Sequence, residues 1–279
     1  MNRQRTIIEA GGNPAGYWKD LWNYRGLFRF LAWRDLLVRY KQTVIGIAWA
    51  VIRPLLTIGV FTFFGAMFDT ATGIVPRVLL VTAATLPWTL FASSLSEASN
   101  SLIANSNLVT KVYFPRLIVP LSSIIVCLVD FLIAFVILIA LMFYYGVMPG
   151  AEIFALPAFL LLAILSATGG GLLLSALNVK YRDFRYVVPF IVQLGLFVSP
   201  IAFSSADVYS SDKIPEALKW LYSLNPMVAV IDGFRWSLFG EAFQINWNSL
   251  LISCGVTALL LISGIWYFRK VERNFADVI

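Results

Sequence analysis

Histidine is absent from this chain of 279 residues, and charged residues make up only 13% of it. Without an imidazole side chain, His-ligated metal sites, Ser-His catalytic pairs and imidazole proton relays are excluded. Soluble domains contain about 25% charged and about 45–50% apolar residues, whereas 59% of this chain is hydrophobic. The composition therefore predicts an integral membrane protein rather than a water-soluble fold.

Phosphate-loop and disulfide chemistry are also missing from the sequence. No G-x-x-x-x-G-K-[ST] pattern occurs, so this chain does not hydrolyse ATP through a phosphate loop. The only cysteines, Cys127 and Cys254, lie in apolar runs, which is typical of packing residues rather than of a disulfide framework. The three glycines at 169–171 also lie in an apolar run, where small residues favour close helix packing. We predict no metal site and no catalytic residue.

The long apolar runs predict an all-α fold with six transmembrane helices. A hydrocarbon core about 30 Å thick requires about 20 apolar helical residues. The predicted spans cover residues 45–68, 78–102, 117–145, 154–177, 187–203 and 250–268, within a transmembrane domain over 45–270. The fifth is short and contains Pro189 and Pro200, so we expect a kink or a re-entrant element there.

The segment 204–248, between the fifth and sixth spans, is too amphipathic to span and too apolar for a simple loop. It contains the sequences IPEALKWLYSL and PMVAVIDGFRWSLFG, each with a proline suited to a first helical turn. We therefore predict two short helices here that do not cross the membrane.

Residues 1–44 precede the first span and mix aromatic with basic residues. Apolar side chains recur there at spacings of three and four residues, which places them on one helical face. These residues are Tyr17, Leu21, Tyr24, Phe28 and Leu31. Neighbouring tryptophans and arginines are favoured at headgroup depth. We predict an interfacial amphipathic helix, and the alternative is a basic tail that only sets topology.

The distribution of Lys and Arg predicts the orientation. The net charge of +6 would suit nucleic acid, but in a membrane protein excess Lys and Arg marks cytoplasmic segments. Six spans with a cytoplasmic N-terminus leave only four basic residues outside: Arg77, Lys213, Lys219 and Arg235. We therefore expect both termini, including the tail at 271–279, to face the cytoplasm, and we expect no nucleic-acid partner.

Three ionisable residues lie inside the predicted spans: Arg53, Glu97 and Asp130. An Arg or Asp at the centre of a span costs about 2.5–3.5 kcal/mol on insertion scales, so such groups normally face a partner, a water-filled cavity or a substrate path. One hypothesis is that Arg53 contacts an anionic group that moves through the protein. The other is that Arg53 pairs with Asp130 or Glu97 and holds helices together.

Aromatic residues are abundant in the spans, and aromatic faces stack on the apolar faces of sugars. The candidates for lining a glycan channel are Phe61, Phe64, Phe68, Trp88 and Phe197. The alternative for each position is a lipid-facing side chain or a member of an interfacial aromatic belt.

Four stretches together resemble the permease subunits of ABC-2 type polysaccharide exporters. They are RDLLVRYKQTVIGIAWAVIRPLL at 34–56, LVTKVYFPRLIVPL at 108–121, LNVKYRDFRYVVPFIVQLGLFVSPIAF at 177–203 and LYSLNPMVAVIDGFRWSLFG at 221–240. With the six-span spacing, the resemblance covers essentially the whole chain. Arg53 departs from the family pattern, in which a neutral residue is expected before the proline.

The resemblance implies a homodimer in the bacterial inner membrane, bound to two copies of a separate ATPase that holds ATP and Mg. The loop at 105–114 is then the short helix that docks on the ATPase. Its contact candidates are Asn105, Leu108, Lys111, Tyr113 and Phe114. The helices within 215–240 are expected to form a gate on the outer side. Its candidate residues are Trp220, Pro226 and Arg235.

The implied substrate is a glycan on an undecaprenyl-diphosphate lipid, moved through the channel of the permease dimer. Cationic side chains near the inner membrane face are then candidates for contacting the diphosphate. These are Arg25, Arg29, Arg39 and Lys41. Attraction of the same side chains to anionic lipid headgroups is the alternative.

The motifs favour an O-antigen-like polysaccharide over teichoic acid or capsule. A small-molecule ABC exporter, an ion-coupled secondary transporter using Glu97 and Asp130, and a membrane-embedded enzyme are the other functions that the sequence leaves open.

Overall fold

The computed structural model describes residues 14–41, 48–67, 75–181, 183–272 and 275, and every regular element in this part of the chain is helical. The helices are α1 (Pro14–Asn23), α2 (Arg25–Lys41), α3 (Ala48–Met67), α4 (Arg77–Ala104), α5 (Ser106–Lys111), α6 (Ile118–Tyr144), α7 (Leu156–Lys180), α8 (Phe184–Val198), α9 (Ser205–Ser210), α10 (Glu216–Ser223), α11 (Pro226–Phe239) and α12 (Trp247–Val271). A short 3-10 turn at Ala151–Ala155 leads into α7, and another at Gly240–Ala242 follows α11. The predicted all-α fold is confirmed.

Four of the six predicted spans are helices long and apolar enough to cross a membrane: α4, α6, the turn and helix over Ala151–Lys180, and α12. At 1.5 Å per residue, the 20 residues of α3 reach about 30 Å. The 15 residues of α8 reach only about 22 Å, less than the hydrocarbon thickness. This helix ends at Val198, so Pro200 and the residues up to 203 are not part of a span. Six spans therefore remain a prediction.

The predicted apolar face near the N-terminus is present, but it belongs to two helices. A turn at Tyr24 separates α1 from α2. Leu31 is buried in a hydrophobic cluster, and Tyr17, Leu21 and Phe28 pack against the same cluster. This cluster also contains side chains from the ends of α4, α7 and α12. The face therefore packs on the protein, which a topogenic tail would not do.

A second hydrophobic cluster fills the opposite half of the molecule. It is formed by the first half of α4, the second half of α6, the first half of α7 and the buried face of α11. Phe131 of α6 meets Phe234 of α11 edge to face, with ring centroids 6.1 Å apart. This core positions the segment between α8 and α12.

The backbones of α7 and α12 touch where both helices carry glycine. A Cβ atom added to Gly264 would lie 2.2 Å from the carbonyl oxygen of Gly169, and one added to Gly169 would lie 2.6 Å from the backbone of Leu260. A Cβ atom added to Gly171 would lie 2.8 Å from the Cβ atom of Ala98 on α4. The expected role of the glycines at 169–171 in close helix packing is confirmed.

Both short helices predicted in the segment 204–248 are present as α10 and α11. The Asn225 side chain accepts a hydrogen bond from the Met227 amide, and Pro226 occupies the first turn of α11. Gly240 ends α11 with a φ of 59°, a conformation that glycine adopts at little cost. Almost every residue of α11 is buried, so it is a core helix rather than a surface loop.

Candidate functional site

The two carboxylates inside the spans share one arginine near the end of α2. Arg39 places Nη1 2.8 Å from Oδ2 of Asp130 on α6, and Nη2 2.7 Å from Oε1 of Glu97 on α4. Tyr40 donates a hydrogen bond to the other oxygen of Asp130. Burial opposes the charged form of Arg39, but the carboxylates of Asp130 and Glu97 outweigh it and raise the pKa of the guanidinium. The cluster joins α2, α4 and α6.

This cluster bears on the expected role of Arg39, which was a candidate for contacting the lipid diphosphate, because its guanidinium faces two carboxylates. Pairing of Arg53 with one of those carboxylates was one of two hypotheses for that residue. The side chain of Arg53 lies outside the described part of the structure, as do those of Phe61 and Phe64. Phe68 lies in a range that the structure does not describe.

The remaining basic candidates lie on exposed surfaces of the N-terminal helices. Arg25, Arg29 and Lys41 are exposed. The Arg25 guanidinium lies 5.5 Å from the centre of the Trp22 ring, and Trp22 itself is exposed. These groups are free to meet phosphate, whereas Arg39 would first have to leave its carboxylates.

A shallow groove of about 320 Å³ runs along α2. Its walls are apolar and basic: Phe30, Trp33, Arg34, Leu37, Val38 and Lys41. An acyl chain with an anionic head suits such a surface, because the apolar walls take the chain and the cation takes the head.

The two described aromatic candidates occupy different environments. Trp88 is 4% exposed and packs between Phe91 and α8. A Cβ atom added to Gly195 would lie 2.5 Å from the Trp88 ring, so the glycine permits the close approach of α8. Phe197, on the same helix, is 66% exposed. Within this chain Trp88 therefore packs helices together, and Phe197 faces outward.

The predicted docking loop contains a helix of one and a half turns, α5. Asn105 closes α4 and begins α5, and Phe114 is buried beyond its end. Leu108 is partly buried. Lys111 and Tyr113 are exposed, and Tyr113 retains 61% of its accessible surface. The loop thus has an anchored base and an exposed tip.

The three outer-gate candidates do not form one cluster. Trp220 on α10 is exposed, whereas Pro226 is buried at the start of α11. Arg235 is 4% exposed and donates hydrogen bonds to the carbonyl oxygens of Ile201 and Phe203, at 3.0 and 3.1 Å. Arg235 therefore fixes the chain that follows α8.

Four helices of spanning length, with α1 and α2 packed against their ends, are the architecture of a polytopic membrane protein. Residues 26–239 match the family described as "ABC-2 type transporter". This chain belongs to that family, as the four motifs indicated.

Curated relatives extend over nearly the whole chain. Two proteins of Klebsiella pneumoniae, each described as "O-antigen export system permease protein RfbA", are 28% and 29% identical to it over 88% of this chain and 92% of their own length. A protein of Myxococcus xanthus with the same description is 25% identical over 94% of this chain and 98% of its own.

Proposed function

We propose that this chain is the membrane subunit of an ATP-driven exporter that carries an O-antigen-like polysaccharide, linked to a lipid diphosphate, across the inner membrane. The observation that carries the proposal is the full-length similarity to three O-antigen export permeases, with no large unmatched segment on either side. Teichoic acid, capsule and a small molecule are the alternative substrates for a membrane subunit of this family. The deletion experiment below tests these alternatives.

The energy for transport would come from a separate ATPase, present in two copies, that docks on α5. The exposed side chains at the end of this helix include a cation, Lys111, and an aromatic ring, Tyr113, with the apolar Val112 between them. A buried aromatic anchor with a nearby charge is the usual composition of an energetically important contact. The matching surface on the ATPase would be an apolar cleft with an acidic rim.

The lipid diphosphate would approach along α1 and α2, with both termini in the cytoplasm. Arg25, Arg29 and Lys41 are exposed there, and the groove along α2 offers apolar walls beside Lys41. Two copies of the chain would enclose the glycan channel. Arg53, Phe61, Phe64 and Phe68 remain candidate channel residues from the sequence, together with the exposed Phe197.

Deletion of the gene in its native host tests the function. We expect lipid-linked glycan to accumulate on the cytoplasmic side and surface O-antigen to be lost, because export would stop while synthesis continues. Loss of teichoic acid or capsule alone would reassign the substrate. Normal surface glycan in a strain without a second exporter would reject the proposal.

Variants of the α5 tip test the docking surface. Lys111→Glu with Tyr113→Ala should abolish co-purification of the ATPase while the chain remains in the membrane. Tyr144→Ala is the matched control, because Tyr144 is 81% exposed at the far end of α6. Equal loss of the ATPase with both variants would contradict docking at α5.

A further inference from the structure

Both flanks of α5 are held by polar contacts to α1 and α2, which form the interfacial helix pair. At its start, Nη2 of Arg34 on α2 donates to Oδ1 of Asn105 at 2.6 Å. The Asn105 amide in turn donates to the carbonyl oxygen of Ser101 in the last turn of α4, at 2.9 Å. Arg34 is fixed from its other side by Asp35, which accepts from Nε at 2.9 Å. The first flank is therefore a chain of bonds from α2 to the junction of α4 and α5.

The second flank follows α5 and centres on Glu272, just beyond the end of α12. Oε1 of Glu272 accepts from the backbone amide of Arg116 at 2.8 Å and from the Tyr17 hydroxyl of α1 at 3.1 Å. The Arg116 guanidinium donates to the carbonyl oxygen of Glu272. One carboxylate thus joins α1, the end of α12 and the turn that leads from α5 into α6.

Aromatic and cationic groups pack around this second flank. The Arg269 guanidinium lies 4.6 Å from the centre of the Tyr17 ring, and the Arg116 guanidinium lies 5.9 Å from that of Phe275. Phe268 and Phe275 are fully buried and meet edge to face at 5.3 Å. The junction is therefore a packed unit rather than a single surface hydrogen bond.

A helix as short as α5 does not hold its own position. Its six residues are far below the length at which an isolated helix is stable in water. Its place is set by the burial of Val109 in the cluster that contains Leu31 and by the residues that flank the helix. One flank bonds directly to α2, and the other connects to α1 through Glu272. A displacement of α5 must therefore move the interfacial helices or break these contacts.

We infer that Arg34 and Tyr17 are positioning residues that transmit the movement of α5 to the interfacial helix pair. The inference rests on the proposed docking of an ATPase at α5, and it adds a route from that docking site to the inner membrane face. Arg39 fixes the C-terminal end of α2 to Glu97 and Asp130. A displacement of α5 therefore rotates or tilts α2 about that end.

Hydrogen–deuterium exchange on the full chain in lipid nanodiscs tests the mechanical link without the ATPase. Tyr17→Phe keeps the ring beneath Arg269 and removes only the hydroxyl. The Tyr17 hydroxyl bonds to Glu272 and not to α5, so an effect on α5 would have to pass through the second flank. We expect amide exchange at 106–111 to become about fivefold faster, the factor that corresponds to the loss of one ordinary hydrogen bond. Arg34→Gln should accelerate exchange at 106–111 to a similar extent, and Arg34→Lys should restore part of the protection.

Glu216→Gln is the control, because it removes an exposed charge partner of Lys219 on α10, away from both flanks. It should leave exchange in α1, α2 and α5 unchanged. Faster exchange confined to α1 and the end of α12 in Tyr17→Phe, with α5 unaltered, would overturn the inference.

Surface glycan display separates this inference from the proposed function. In the native host, Tyr17→Phe and Arg34→Gln should retain membrane levels and ATPase binding yet lower surface glycan about fivefold. If deletion of the chain abolishes display but both variants export normally, the positioning role is rejected. If deletion itself has no effect on surface glycan display, the proposed function fails. The hydrogen–deuterium exchange measurement then still tests the connection from α5 to α1 and α2.

Discussion

The Arg39 guanidinium, near the end of α2, lies 2.8 Å from the Asp130 carboxylate, midway along a helix of spanning length. The same guanidinium reaches Glu97 on α4. A residue outside the predicted spans therefore supplies the positive charge for two carboxylates inside them, and it fixes α2 to α4 and α6.

Replacement of Arg39 by Gln should lower the free energy of unfolding by about 1–2 kcal/mol. The expected cost lies between those of exposed and buried ion pairs, because both partners are about one-third exposed. Asp130→Asn in the same chain should recover part of the loss, since it removes one uncompensated charge. An SDS unfolding titration of the purified protein measures both changes.

Arg29→Gln is the control for Arg39, because Arg29 is exposed on the same helix. Its effect should stay within about 0.5 kcal/mol, as for ordinary surface substitutions. A double variant that is no more stable than Arg39→Gln alone would contradict a cost of leaving the Asp130 carboxylate unpaired.

Gly264→Ala should destabilise the protein by about 1–3 kcal/mol, the range for overpacked cores. The new methyl group would overlap the carbonyl oxygen of Gly169, which is backbone and cannot rotate away. Gly255→Ala on the same helix is the matched control, because a Cβ atom there meets nothing within 4 Å. That control should be neutral or slightly stabilising, given the higher helix propensity of alanine. The thermal unfolding midpoints of the Gly264→Ala and Gly255→Ala variants measure the difference. Equal midpoints would refute a backbone contact between α7 and α12.

Arg235→Gln should cost about 2–4 kcal/mol, because two carbonyl oxygens, those of Ile201 and Phe203, lose a charged donor in a buried site. Limited proteolysis at 199–204 should become faster, since these bonds hold the chain after α8. Glu216→Gln, which breaks the exposed pair with Lys219, should leave the digestion unchanged. An unaltered cleavage rate in Arg235→Gln would show that other contacts hold this segment.

Asn178→Leu should destabilise the protein by about 1–3 kcal/mol. The buried Asn178 amide donates to the carbonyl oxygen of Ser99 and to the Asn100 side chain, each at 3.1 Å, so its loss leaves buried acceptors on α4 without this donor. Asn248→Leu, at an exposed position of α12, is the control. Chemical unfolding monitored by circular dichroism should separate the two, and a stability equal to that of the control would contradict a structural role for the amide.

Hydropathy was sufficient to predict four helices of spanning length, because apolar runs of about 20 residues have few alternatives in a membrane. The apolar face from Tyr17 to Leu31 was predicted for the same reason, since spacings of three and four residues define a helical surface. Pro226 and its preceding Asn225 likewise indicated where α11 begins. These features depend on residues that are neighbours in the sequence.

The polar contacts could not be predicted in the same way. Nothing in the sequence connects Arg39 with Glu97 and Asp130, because such pairing depends on how α2 packs against α4 and α6. The sequence offered Arg53 either as a partner for these carboxylates or as a substrate contact, and both hypotheses for Arg53 stay predictions because its side chain lies outside the described structure. The burial of α11 could not be predicted either, because it depends on packing against α4, α7 and α12, and the helix carries Asp232 and Arg235.

The contact between Gly169 and Gly264 has a consequence for how the transporter cycles. Two helices whose backbones touch cannot slide past one another, because a shift of one residue along either would bring a side chain into the gap that only glycine leaves. Helices α7 and α12 must therefore turn or tilt as one body. Any motion that opens a path for the substrate therefore has to occur between other pairs of helices, with α7 and α12 moving together.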